Sequence, residues 1–294
     1  MKNDKNQTFS PEEKIAHFLM LNASEMPDLG VLDGRMKAIL FFFNEARINK
    51  SDMYSDFATE LLEELFEILS VVQISADFKS GLCGIGWGVE YLIFNRYVAV
   101  HEDICADFDK KIKQYFIRKE YSGIGLEHGL LGILLYLVFR FENRKESLTP
   151  SERRFYTTFI SQIFCELQHD TGAISNLLQE ADNSRFDNRM LMIYSKWEFP
   201  LLIWSVGRCA ANDIAKKKAV RLIIDILSQL DGDSLPKSPV NTALLLHAFR
   251  SLSQLNVPAI TAVIDTLCRK YRIEEKKIEQ QTPDKQFFKF DIQL

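Results

Sequence analysis

A chain of 294 residues that is 47% hydrophobic and 12% aromatic carries enough apolar surface to offset the entropy of ordering a large core, so disorder throughout is excluded. Its 36 basic and 40 acidic residues are interspersed and leave a net charge of −4, which excludes the clustered basic surface of a nucleic-acid binder. The longest apolar stretch, Gly129 to Phe139, falls well short of the ~20 residues of a spanning helix, so no membrane span is expected.

The opening segment is polar. The first apolar cluster, Ile15 to Leu21, is interrupted by His17 and lacks a small-residue cleavage site, so a cytoplasmic chain is the expectation. Ser10-Pro11-Glu12-Glu13 has the cap residue, the Pro and the Glu that start a helix, and Thr149-Pro150-Ser151-Glu152 repeats that signature. Helices are therefore expected to begin near 10 and near 149. The five cysteines (Cys83, Cys105, Cys165, Cys209, Cys268) are widely spaced, with no CxxC pair, and read as buried free thiols rather than a disulfide framework.

Glycine is the most informative residue after that. It clusters at Gly30–Gly34, Gly81–Gly88 and Gly123–Gly132, and Gly34, Gly81 and Gly129 stand 47 and 48 residues apart. Each cluster leads into an apolar helix (Ile39–Phe43, Val89–Phe94, Ile133–Phe139), and one-faced amphipathic segments follow over 52–72 and 101–118. Lys37 stands where the repeat calls for a glycine. The repeating unit is a helical hairpin, and inner helices apolar all round beside amphipathic outer ones predict an all-α fold closed into an α/α toroid. Inner-helix N-termini gathered at the axis would offer free N–H groups to a ligand.

Beyond 141 the repeat decays. Gly172 and Gly207 are isolated, 180–195 is polar, and 196–208, 212–230 and 237–252 read as further helices. One toroid domain over 1–272 is the simplest reading, followed over 273–294 by a charged linker and a tail in which Phe288, Phe290, Ile292 and Leu294 alternate with polar residues as in a strand.

SGLCGIGWGVEYL, with GRMKAILFFFNEAR before it and EHGLLGILLYLVFR after it, resembles the repeated GxxG-type motif of the lanthionine synthetase C-like family over roughly 29–141. The resemblance implies an α/α toroid and work in peptide modification, with a ribosomally made precursor peptide or a partner peptide-modifying enzyme as the molecule held. Characterised members are zinc enzymes that add a cysteine thiol to a dehydrated serine or threonine. Zinc with an open position lowers the thiol pKa, and a histidine moves the proton. The family's ligands, a Cys in a WCYG-type motif and a Cys-His pair in a CHG-type motif, have no counterpart here. The resemblance therefore implies a zinc-less member with no cofactor, with or without residual catalysis.

EHGLLGI resembles the family's AHGIAG motif, which points to His128 as a catalytic acid/base, with pocket-lining and structural roles as alternatives. Trp87, Glu90 and Glu127 lie within two turns of the glycine clusters and are the candidate substrate-binding residues: Trp87 for flat contact area, the carboxylates for basic side chains. A core role for Trp87 and a packed thiol for Cys83 are the competing readings. Three other functions stay open. They are an active zinc cyclase with displaced ligands such as Cys209 and His247, a carbohydrate-active toroid using Glu90 and Glu127 as its carboxylate pair, and an interaction scaffold.

Overall fold

A computed structural model describes residues 11–99, 102–169, 198–214, 216–228, 249 and 252–271. Among the described residues the chain is all-α, with ten α-helices and no strand. His247, Ser10, Gly172, the 180–195 stretch, most of 237–252 and the alternating tail lie outside them. The chain divides into two compact units, Met1–Glu120 and Tyr121–Leu294. That boundary falls inside the stretch read from sequence as one repeating domain.

The first unit holds α1 (Pro11–Asn22), a 3-10 turn (Ala23–Glu25), α2 (Arg35–Asn49), α3 (Asp52–Val71), α4 (Leu82–Phe94) and α5 (Ala106–Ile117). Helix α2 packs on α3 and α4, and α4 packs on α5, so two hairpins stand side by side. The first reverses sharply: Lys50 adopts a left-handed conformation (φ 52°) and the Ser51 hydroxyl accepts the Tyr54 amide at 3.4 Å. Arg35 fastens the entry, reaching the carbonyl of Met26 at 3.0 Å, the carbonyl of Ser24, and Glu64 on α3 at 3.4 Å.

The second unit holds α6 (Leu130–Arg144), α7 (Pro150–His169), α8 (Glu198–Ala211), α9 (Lys216–Ser228) and α10 (Pro258–Tyr271). Helix α6 packs on α7 and α8, and α9 on α7, α8 and α10. The capping signature before α7 forms both of its reciprocal bonds. Glu152 accepts the Thr149 amide at 2.8 Å while the Thr149 hydroxyl accepts the Glu152 amide at 3.3 Å. Helix α6 is buried at every position from Leu130 to Phe141.

The period of 47 and 48 residues is a period in geometry as well. Gly34, Gly81 and Gly129 cap α2, α4 and α6 with nearly the same extended backbone, φ from −111° to −109° and ψ from −171° to −163°. In each case the first helical amide bonds a carbonyl seven residues back: Arg35 to Asp28 at 2.9 Å, Leu82 to Ser75 at 3.0 Å, Leu130 to Gly123 at 3.2 Å. This folded-back turn leaves no room at the cap. A β-carbon on Gly34 would stand 2.5 Å from the Asp28 oxygen, on Gly81 2.5 Å from the Ser75 oxygen, and on Gly129 2.5 Å from the Gly125 oxygen. Space, rather than an unusual φ, selects glycine here.

The burial pattern repeats too. Three residues before each cap come Val31, Phe78 and Leu126, and five before come Leu29, Ala76 and Ile124, all buried. Eight after come Phe42, Val89 and Leu137, buried as well. Each repeat thus places two apolar side chains of its turn and one face of its helix in the core.

Candidate functional site

The residues immediately before each glycine cap are the ones the turn leaves at its rim. In the third turn these are Glu127 and His128, in the second Lys79 and Ser80, and in the first Asp33, Leu32 beside it being buried. The buried anchors Ile124 and Leu126 lie beneath, and the His128 carbonyl accepts the Ser122 amide at 2.8 Å. The His128 side chain is half exposed, with its Nε2 3.8 Å from Glu127 Oε2. An accessible imidazole beside a carboxylate offers hydrogen-bond donors and acceptors to a molecule at the rim.

Trp87 and Glu90 lie in the other unit, on α4, and are turned differently. Glu90 is only 3% exposed and occupies the register taken by Phe43 in α2 and Val138 in α6. It belongs to the buried side of the helix. Trp87 is half-buried and begins a row of rings. It stacks on Tyr91 at 5.6 Å, and Tyr91 stacks on Tyr97 at 6.4 Å, with interplanar angles of 24° and 23°. The Arg47 guanidinium lies 3.6 Å from the Tyr97 ring centre and donates to the carbonyl of Asn95. Asn44 accepts from the Tyr97 hydroxyl at 2.5 Å and from that of Tyr91 at 3.4 Å. Burial raises the Tyr97 pKa, against the opposing pull of Arg47. Sequence reading found Trp87 and missed Tyr91, Tyr97, Asn44 and Arg47. The four-residue step from Trp87 to Tyr91 was the one available signal, since Asn44 and Arg47 come from another helix.

The amides of the inner-helix N-termini are not offered to a ligand as expected. The first two in each of the three helices bond carbonyls of their own turn: Arg35 and Met36 to Asp28 and Leu29, Leu82 and Cys83 to Ser75 and Asp77, Leu130 and Leu131 to Gly123 and Ile124. Side chains of the rim are what the turns present.

Between the first two turns, serines and aspartates form a bridge. The Ser80 hydroxyl donates to Asp28 at 2.6 Å and its amide donates to Asp77 at 2.9 Å, while the Ser75 hydroxyl donates to Asp77 at 2.7 Å. Cys83 is fully buried behind it, and burial first, then Asp77 and Asp109, hold its thiol well above the ordinary pKa. Tyr115 is pushed up to about 12 by burial, with Asp77, Cys83 and Glu120 adding to it. A thiol in this field stays protonated, in line with the packed reading of Cys83.

Cys209, the thiol considered as a displaced zinc ligand, is fully buried on α8 and raised by burial and by Glu142. Glu142 is already engaged: Arg208 Nε lies 3.0 Å from it and Asn212 donates to it at 2.7 Å. A protonated thiol beside a carboxylate neutralised by a guanidinium does not suit a divalent cation. Among the described residues no group of three or more His, Cys, Asp or Glu side chains is arranged to hold a metal. No family model, no curated protein and no solved structure matches this chain.

Proposed function

We propose that the chain is a lanthionine synthetase C-like protein of peptide maturation, a zinc-less one that holds a ribosomally made peptide, or the enzyme modifying it, at the rim of its glycine turns. The hairpins close into an α/α toroid in this reading, and the chain works in the cytoplasm. The observation that carries it is the threefold recurrence of the capped turn, with Gly34, Gly81 and Gly129 in one backbone geometry at the start of each segment that resembles the family's motif. Since the first two amides of each helix bond within the turns, the peptide is held by side chains: in the second unit by Glu127 and His128 at the third turn, and in the first unit, as a separate candidate contact, by Trp87 on α4. His128 moves a proton if catalysis is retained. Glu90, buried in register with Phe43 and Val138, shapes the helix that carries Trp87 instead of touching the peptide.

The test is an array of synthetic peptides rich in Ser, Thr and Cys, probed with the full chain and with His128→Ala and Trp87→Ala. Retention of a subset by the parent, weakened at least several-fold by one substitution or the other with an unchanged thermal midpoint, is the expected result. Equal retention by parent and variants would remove these residues from the site, and no retention at all would remove the peptide.

The row of Trp87, Tyr91 and Tyr97 favours a second reading, since stacked aromatic faces are what a carbohydrate binder presents. A glycan array run beside the peptide array separates the two.

A further inference from the structure

The five cysteines have different surroundings. Cys83, Cys105 and Cys209 are buried, and the first and last are held protonated by burial and neighbouring carboxylates. Cys165 and Cys268 are half-buried and within reach of small reagents. Cys165, on α7, has an amine against it: Lys218 Nζ, from the first turn of the packed helix α9, lies 3.3 Å from its Sγ. Nitrogen and sulfur are thus held at contact across a helix–helix junction, 53 residues apart in sequence. On α7, Glu166 hydrogen-bonds Tyr121, and His169 is exposed one turn on. On α9, Lys217 and Arg221 are exposed, and on α6 Glu142 is taken by Arg208 and Asn212.

We propose that Cys165 and Lys218 form an oxidative modification site, in which a hydroperoxide oxidises the thiol and the neighbouring amine captures the product as a sulfur–nitrogen cross-link. In the first step sulfur attacks the peroxide. An S–O bond forms, the O–O bond breaks, sulfur gives up two electrons, and Cys–SH with H2O2 becomes Cys–SOH with water. In the second step the Lys218 nitrogen, having released a proton to solvent, attacks sulfur. The S–O bond breaks and hydroxide departs with a proton as water, so that Cys–SOH and Lys–NH3+ give Cys–S–NH–Lys, water and H+. No further oxidant is needed. The 3.3 Å contact makes the second step intramolecular, and this sets the fate of Cys165 apart from that of a sulfenic acid facing solvent, which goes on to sulfinic acid. The bond ties α7 to α9 and is reversed by a thiol reductant.

The experiment is hydrogen peroxide treatment of the full chain, followed by proteolysis and mass spectrometry under non-reducing conditions. The expected product is the Cys165 peptide joined to the Lys218 peptide, at their summed mass less two hydrogens, returning to the separate peptides with dithiothreitol. Lys218→Arg, which keeps the charge and the fold but offers a poor nucleophile, should give no cross-link and should send Cys165 to sulfinic acid. The thermal midpoint should rise on oxidation in the parent and not in Lys218→Arg or Cys165→Ser. Sulfinic acid at Cys165 with Lys218 free in the parent, or cross-linking of Cys268 to lysines at a similar yield, would overturn the proposal.

Discussion

A β-carbon placed on Gly30 would stand 1.9 Å from the carbonyl oxygen of Lys79. The first and second turns therefore meet backbone to backbone, and the Leu32 amide points at that same oxygen at 3.4 Å. Neither turn can be altered without moving the other.

Gly30→Ala should accordingly destabilise the chain by more than about 3 kcal/mol, because the atom it strikes is backbone and cannot rotate away. Gly123 is the contrast. It has φ +64° and open space around it, so Gly123→Ala meets only the left-handed backbone penalty of about 1 kcal/mol. Urea unfolding of the two variants reads the difference, and equal losses would show that crowding at Gly30 is relieved elsewhere.

The three caps make a matched set. Gly34→Ala, Gly81→Ala and Gly129→Ala each bring a β-carbon within 2.5 Å of a backbone atom, and each should lower stability by at least about 2 kcal/mol. Parallel losses in denaturant midpoint check the equivalence. One harmless substitution among the three would break the repeat at that turn.

Stability should fall above about pH 9. Cys83 and Cys209 keep their protons when folded, whereas in the unfolded chain they titrate near the ordinary thiol value of 9.0. The folded state then binds more protons than the unfolded one, and stability declines by up to about 1.4 kcal/mol per pH unit for each group. It is fully present below that range. Above pH 10 Tyr115, raised to about 12, acts in the same direction. Cys83→Ala should flatten the slope between pH 9 and 10.5, measured by denaturant midpoints across the range.

Thr149→Ala removes both the hydroxyl that caps α7 and one partner of Glu152, and should cost about 1 kcal/mol. A loss confined to the second unit, seen as faster amide exchange in α7, is the checking measurement.

Chelators should leave the thermal midpoint unmoved, since the Cys209 neighbourhood does not suit a cation. Calorimetry with and without EDTA reads this directly, and a midpoint lowered by EDTA would bring back the zinc cyclase.

Helix starts were the most legible feature of the sequence. The glycine caps predicted inner helices near 34, 81 and 129, and α2, α4 and α6 begin one residue after each. A cap and a crowded turn are local, so local sequence records them. The apolar run from Gly129 to Phe139 likewise announced burial on all sides, and α6 is buried from Leu130 through Phe141. What sequence could not supply was pairing across helices. Cys165 and Lys218, or Tyr97 and Arg47, meet only after two helices pack, and no periodicity encodes which exposed lysine lands on which thiol. The burial of Glu90 was hidden for a related reason. A carboxylate close to a glycine turn looks available until the helix register puts it on the face shared with Phe43 and Val138.

Lys37 and Phe41 sit in α2 where α4 has Gly84 and Gly88. In the second repeat those glycines receive the first: a β-carbon at Gly84 would meet Val31, and one at Gly88 would meet Met36, at 2.7 and 2.6 Å. The first repeat offers bulk at both places instead. The nesting of one turn on the next helix is therefore one-directional: α4 has the recesses that receive Val31 and Met36, and α2 has side chains where a preceding turn would need such recesses.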